Sequence, residues 1–151
     1  MNKKIKKIII ATGGTGGHIF PAYSLAKHFI ENEADVKIIS DKRGLKYLKD
    51  YDDIKVVEIN SSPIFKKNIF RLLFSILTIL HSTFRSFIFL MTNKPNLVFG
   101  MGGYSSFPVC VAATILRIPF IIYENNLHIG KTNRYLLPYA KKIFVSYIEL
   151  E

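Results

Sequence analysis

Ile8-Ile9-Ile10-Ala11-Thr12-Gly13-Gly14-Thr15-Gly16-Gly17-His18-Ile19-Phe20-Pro21 is the stretch that decides the fold. Four apolar residues without polar alternation read as a strand buried on both faces, the habit of parallel sheets. A glycine-rich loop follows at once and leads into a helix, expected over Pro21–Asn32 with Pro21 near its first turn. The lysines of residues 1–7 ahead of this run mimic a signal peptide, but the apolar run is too short and the glycines break it.

Outward from that unit the rhythm repeats. Strands are expected at Val36–Ser40, Ile54–Ile59, Asn96–Gly100, Pro119–Tyr123 and Lys142–Ser146. Helices are expected at Lys42–Tyr51, Lys67–Thr92, Ser105–Leu116 and Lys131–Tyr139. Strands alternating with helices predict an α/β fold: a Rossmann-like, mostly parallel sheet with helices on both faces and right-handed crossovers. In such sheets ligands gather at the carboxyl ends of the strands, near the switch in strand order. The 151 residues suit one domain.

Charge narrows the partners. The chain carries a net +10, yet eight of its eleven acids lie between Glu31 and Glu58. From Ile59 to Tyr123 there is no Asp or Glu, while Lys66, Lys67, Arg71, Arg85, Lys94 and Arg117 fall there. A region both basic and apolar fits a membrane surface better than a nucleic acid, and no nucleic-acid-binding signature accompanies it. A single cysteine, Cys110, excludes an internal disulfide framework and a multi-cysteine metal site. The four histidines are widely spaced and show no metal-ligand pattern, so no metal is expected.

Three loops follow predicted strands. Gly13-Gly14-Thr15-Gly16-Gly17-His18 lacks the Lys-Ser/Thr of a phosphate-binding P-loop, and Ile19 stands where a dinucleotide fingerprint needs its third glycine. Glycines nonetheless let backbone N–H groups approach an anion, and a helix start adds positive potential. Gly100-Met101-Gly102-Gly103-Tyr104-Ser105-Ser106 is a second such loop; together the two could hold two phosphates or one pyrophosphate. The third, Glu124 to Arg134, is rich in groups that can bind sugar hydroxyls. His18, beside a glycine loop and at a helix start, suits a general base. Asp50-Tyr51-Asp52 lies at the opposite end of the sheet and reads as a solvated turn.

These motifs, Gly13-Gly14-Thr15-Gly16-Gly17-His18-Ile19-Phe20-Pro21-Ala22, Gly100-Met101-Gly102-Gly103-Tyr104 and Glu124-x-Asn126-x-x-x-Gly130-x-x-Asn133-Arg134, resemble the amino-terminal domain of the MurG family of glycosyltransferase family 28. The resemblance spans nearly the whole chain. It implies the amino-terminal half of a GT-B fold, residues 1–151 forming the acceptor-binding (lipid I) domain. The implied reaction moves N-acetylglucosamine from UDP-N-acetylglucosamine to undecaprenyl-pyrophosphoryl-MurNAc-pentapeptide, lipid I, with inversion and without a required metal or cofactor. By the same resemblance Gly13, Gly14, Gly102, Gly103, Tyr104 and Ser105 would hold the acceptor pyrophosphate. Thr15, Gly16, Gly17 and Asn126 would touch the donor. His18 and Glu124 are the two candidates for proton transfer, and Asn133 and Arg134 are further loop candidates. The carboxyl-terminal UDP-sugar domain of that family, with a helix that returns from it, has no counterpart within the 151 residues. Half an enzyme, joined in cis or in trans, is therefore expected; the alternative is a membrane-anchoring, polyprenyl-pyrophosphate-binding subunit of a split enzyme.

The segment 68–92 holds a 13-residue uncharged run between Arg71 and Arg85, shorter than the roughly 20 residues of a span. Its apolar residues exceed one sheet-facing stripe, and cations flank it. It is expected to lie on an anionic membrane surface through Lys67, Arg71, Leu72, Phe74, Leu77, Leu80 and Arg85. The family resemblance implies the cytoplasmic side of the bacterial inner membrane.

Overall fold

The computed structural model describes residues 6–61 and 69–147. Six strands, β1 (Lys7–Ala11), β2 (Asp35–Ser40), β3 (Lys55–Glu58), β4 (Leu97–Gly100), β5 (Phe120–Glu124) and β6 (Lys142–Val145), form one sheet in the order β3-β2-β1-β4-β5-β6. Every pairing is parallel; Ile10 stands opposite Ile38 of β2 on one side and Phe99 of β4 on the other. The order reverses between β1 and β4, so the crevice there is where a ligand is expected. Helices α1 (Gly16–Glu31), α2 (Lys42–Leu48), α3 (Ile69–Asn93), α4 (Ser106–Ile115) and α5 (Lys131–Leu136) make the crossovers, and residues 137–139 add a 3-10 turn.

Alternation along the strands builds two cores. Ile8, Ile10, Ile38 and Phe99 pack with Ile19, Ala22 and Ala26 of α1. Ile9, Ala11, Ile39, Val98 and Ile122 pack with Leu90 of α3 and Val109, Cys110 and Ala113 of α4. Both faces of each central strand are thus apolar, which is why these strands read as unbroken hydrophobic runs. Beyond α1, its own face of β4, β5 and β6 carries an apolar groove of about 730 Å3, lined among others by Leu25, Phe29, Phe99, Ile121 and Phe144.

α1 differs from expectation in a useful way. It begins at Gly16, not Pro21, so Pro21 sits inside it. A proline there has no N–H to give to the carbonyl four residues back. That carbonyl, Gly17 O, accepts instead from Asn125 Nδ2 of the loop after β5 (2.8 Å). The proline does not break the helix; it frees one acceptor that ties α1 to another loop.

α3 is turned inside out. Its buried positions are Ser75, Ser82, Ser86 and Leu90. The serine hydroxyls are satisfied: Ser75 Oγ donates to Arg71 O and Ser86 Oγ to Ser82 O one turn back, and Ser82 Oγ reaches Asn60 O beyond β3. Small inward residues let α3 lie close against α4, its main partner. The opposite stripe, Leu73, Leu77, Leu80, Phe84, Ile88 and Met91, follows the helical period and faces outward, with Phe74 68% and Phe84 62% exposed. Arg71 and Arg85 are exposed, whereas Leu72, expected on the outer face, is half-buried. Lys66 and Lys67 lie outside the described residues.

Candidate functional site

Three loops leave the carboxyl ends of β1, β4 and β5 side by side, each running into a helix: α1, α4 and α5. None of the three helices has a side-chain cap or an acid in its first turn, so backbone N–H groups and positive dipole ends converge on this edge. α2, by contrast, is capped by Asp41, which accepts from Gly44 N (2.9 Å).

The two glycine loops interlock. Ser105 Oγ donates to Thr12 O (2.7 Å). Gly103 has φ +77°, and a Cβ there would lie 2.6 Å from Gly13 O, so only glycine allows the two loops to touch. Gly102, at φ +86°, is equally restricted: a Cβ would sit 2.9 Å from Cε1 of the His18 ring. Asp41, buried behind the first loop, accepts from Gly14 N (3.1 Å), Ser61 Oγ (2.7 Å) and Arg43 Nη2 (2.8 Å). Burial works against its charge, but these bonds and that from Gly44 outweigh it and hold the carboxyl below its usual range. Gly14 N–H, expected to face a pyrophosphate, is therefore spent on Asp41, and the Ser105 hydroxyl is spent on Thr12.

Glu124 organises the third loop. It is 1% exposed. One carboxylate oxygen accepts from Asn126 N (3.1 Å) and Asn126 Nδ2 (2.6 Å), the other from Gly130 N (2.8 Å) and Asn133 Nδ2 (2.9 Å). Burial again opposes ionisation, and the four bonds overcome it, keeping the carboxyl below the ordinary glutamate range. A carboxylate so occupied is a weak base and a strong staple. Glu124→Gln would turn an amide NH2 toward these donors and should cost about 1–3 kcal/mol in urea unfolding at neutral pH. Because folding lowers this pKa, the stabilisation is present above about pH 4.3, the unfolded glutamate value, and disappears as pH falls through the folded value. The gap between wild type and variant should therefore shrink on acidification; a gap that stays constant from neutral to strongly acidic pH would exclude the charged staple.

The loops enclose a cavity of about 250 Å3 lined by His18, Gly102, Gly103, Tyr104, Glu124, Asn126, Gly130, Lys131, Thr132 and Asn133. His18 Nδ1 is buried without a hydrogen-bond partner, which leaves Nε2 as the nitrogen able to reach a ligand. Among the described residues, no carboxylate holds Nδ1 of the ring. Gly13, Gly14 and Ser105 are not part of the cavity lining. Thr15, Gly17 and Asn126 are exposed at the same sheet edge, while Arg134 and His128 are exposed and outside the cavity lining. Sequence reasoning missed Asp41 as the brace of the first loop, although an Asp between a strand and a helix is an N-cap signal. Lys131 and Thr132, within the segment Glu124 to Arg134, also line the cavity, and nothing in the sequence singles them out. The Asp50–Asp52 turn joins α2 to β3 at the far end of the sheet.

A doubly wound sheet of this order, with uncapped glycine loops meeting at the switch point, is the Rossmann-like architecture of one half of a GT-B fold. Residues 8–145 match the glycosyltransferase family 28 N-terminal domain, and the chain belongs to that family. Among curated relatives, the UDP-N-acetylglucosamine–N-acetylmuramyl-(pentapeptide) pyrophosphoryl-undecaprenol N-acetylglucosamine transferase of Pelagibacter ubique is 39% identical over 92% of this chain and 38% of its own length. The protein of the same name from Francisella tularensis subsp. holarctica is 37% identical over 97% of this chain and 40% of its own. The crystal structure of Acinetobacter baumannii MurG superposes with a TM-score of 0.81 at 28% identity, over 97% of this chain and 43% of that one. The UDP-GlcNAc 2-epimerase of Methanocaldococcus jannaschii, at 13% identity and TM-score 0.69, shares the fold. The chain thus spans about 40% of the length of the curated relatives it matches.

Proposed function

We propose that this chain is the acceptor-binding half of an inverting N-acetylglucosaminyltransferase that acts on lipid I with UDP-N-acetylglucosamine as donor. The observation that carries the reading is the cavity itself, in which the family's three motifs meet around one uncommitted histidine. In this reading His18 Nε2 takes the proton from the acceptor hydroxyl as that oxygen attacks the anomeric carbon and UDP departs. Glu124, its oxygens filled, holds Asn126 and Asn133 in place. The acceptor pyrophosphate lies against Gly102, Gly103 and Tyr104, and the donor approaches past Thr15, Gly16, Gly17 and Asn126. A second domain faces this edge and supplies the rest of the UDP-sugar site. The apolar groove beside α1 is the seat for a helix returning from that domain.

The outward face of α3 rests on the cytoplasmic surface of the inner membrane. α3 is long and apolar enough to cross a bilayer. Its serine face, however, is packed against α4 and its Leu90 is part of the core, so crossing would tear the domain open.

Transfer of labelled N-acetylglucosamine to lipid I tests the function. The chain supplied with a separately folded carboxyl-terminal domain should make lipid II, and the chain alone should bind lipid I without turnover. Binding of lipid I with no transfer by the assembled pair would favour the split-enzyme anchoring subunit. No binding of lipid I would reject both.

A further inference from the structure

We propose that Asn125 is a positioning residue for His18: it sets the direction of the imidazole through the peptide that precedes it. The inference rests on the reading of His18 as the base. Asn125 does not line the cavity, whereas its neighbours Glu124 and Asn126 do. Its Nδ2 donates to Gly17 O at 2.8 Å, across 108 residues of sequence. That carbonyl belongs to the peptide joining Gly17 to His18. The carbonyl on the other side, His18 O, accepts from Thr12 Oγ1 at 3.0 Å. Both peptides that flank the His18 Cα are thus held by side chains from outside α1, one just after β1 and one just after β5.

The ring itself has no such hold on its inner nitrogen. Nδ1 is buried without a hydrogen bond, and the ring leans on Gly102, where an added Cβ would lie 2.9 Å from Cε1. A catalytic imidazole is commonly oriented by a group bonded to its second nitrogen. With Nδ1 unbonded, the aim of Nε2 follows from the Cα–Cβ bond, and so from the two fixed peptides. Pro21 is what gives the Asn125 bond its weight. In an uninterrupted helix the N–H four residues on would hold Gly17 O, but proline has none. The Asn125 amide supplies that donor at the turn that carries His18. A reacting group misplaced by about 1 Å can cost on the order of 10²-fold in rate, so a bond that fixes this peptide bears on turnover more than on binding.

A double-mutant cycle tests this, because Pro21→Ala gives the helix its own donor to Gly17 O. In the chain assembled with a carboxyl-terminal domain, Asn125→Ala should lower kcat about ten-fold and leave KM for both substrates within about two-fold. In the Pro21→Ala background the same change should cost less than about two-fold. A loss of equal size in both backgrounds, or a loss that appears in KM, would mean that Asn125 touches a substrate or only braces its loop, and the proposal falls. Turnover near the wild-type level in Asn125→Ala overturns it too. The His18 ring signals in NMR spectra of the 151-residue chain report the same aim without turnover. Asn125→Ala should broaden or shift them, and adding Pro21→Ala should bring them back; ring signals that Asn125→Ala leaves untouched reject the proposal. If the wild-type pair transfers no sugar, the transferase reading fails, and the ring signals still decide whether Asn125 aims His18. Circular dichroism of each variant guards against unfolding.

Discussion

If the proposed transfer holds, replacing His18 by alanine in the chain assembled with a carboxyl-terminal domain should lower turnover by about 10²–10⁴-fold, the usual span for a lost general base. Affinity for the lipid-linked acceptor changes by only a few fold. The asymmetry follows from the cavity. The imidazole packs on Gly102 with Nδ1 sealed, so Nε2 is the nitrogen placed to meet a hydroxyl. Glu124 cannot substitute, because both of its oxygens are occupied and its carboxyl is held below its ordinary range. Added imidazole should restore part of the rate to the alanine variant without altering acceptor affinity. Turnover near the wild-type level in a folded variant would reduce His18 to a packing residue and return Glu124 to contention.

The second large effect concerns the membrane. Leu73, Phe74, Leu77, Leu80 and Phe84 all point away from the domain. Changing the five to serine should leave the circular dichroism spectrum intact, since α3 meets the core through its buried Ser75, Ser82, Ser86 and Leu90 and through Phe87 and Phe89. Binding to vesicles should fall by about 100-fold. Full burial of such side chains is worth about 1.5–3 kcal/mol each; shallow insertion recovering about 0.6 each already sums to about 3 kcal/mol over five. Neutralising Lys66, Lys67, Arg71 and Arg85 to Gln should remove a different, salt-sensitive share, about 1 kcal/mol per cation near an anionic surface. Flotation with anionic and with neutral vesicles distinguishes the two. Five serines without loss of binding would put the membrane contact elsewhere.

Much of this architecture is legible in the residues because parallel strands announce themselves. Ile8–Ala11, Val36–Ser40 and Asn96–Gly100 are short apolar runs cut off by glycine or by a polar turn, and each is a strand close to its expected bounds. The three loops at the sheet edge were legible for the same reason. What the sequence hides is partnership across long separations. Nothing near Gly14 says that its N–H answers to Asp41, 27 residues on, or that the Gly17 carbonyl answers to Asn125. From sequence α1 reads as starting late, because glycines disfavour helix interiors and proline favours first turns, whereas the helix runs through both, with Asn125 bonded to the carbonyl that Pro21 leaves open. In α3 the apolar excess was plain, but which side the serines took depended on how near α4 comes.

That bond between Asn125 and Gly17 has a mechanical consequence. With Ser105 holding Thr12, it fastens the ends of β1, β4 and β5 into one tripod. A load on any leg is shared by the others, so the edge yields as a block and not as three independent flaps. Little disorder remains for a docking molecule to quench, and the entropic cost of association falls mainly on the ligand. A proline that merely withholds one hydrogen thereby stiffens the sheet edge on which a ligand would land.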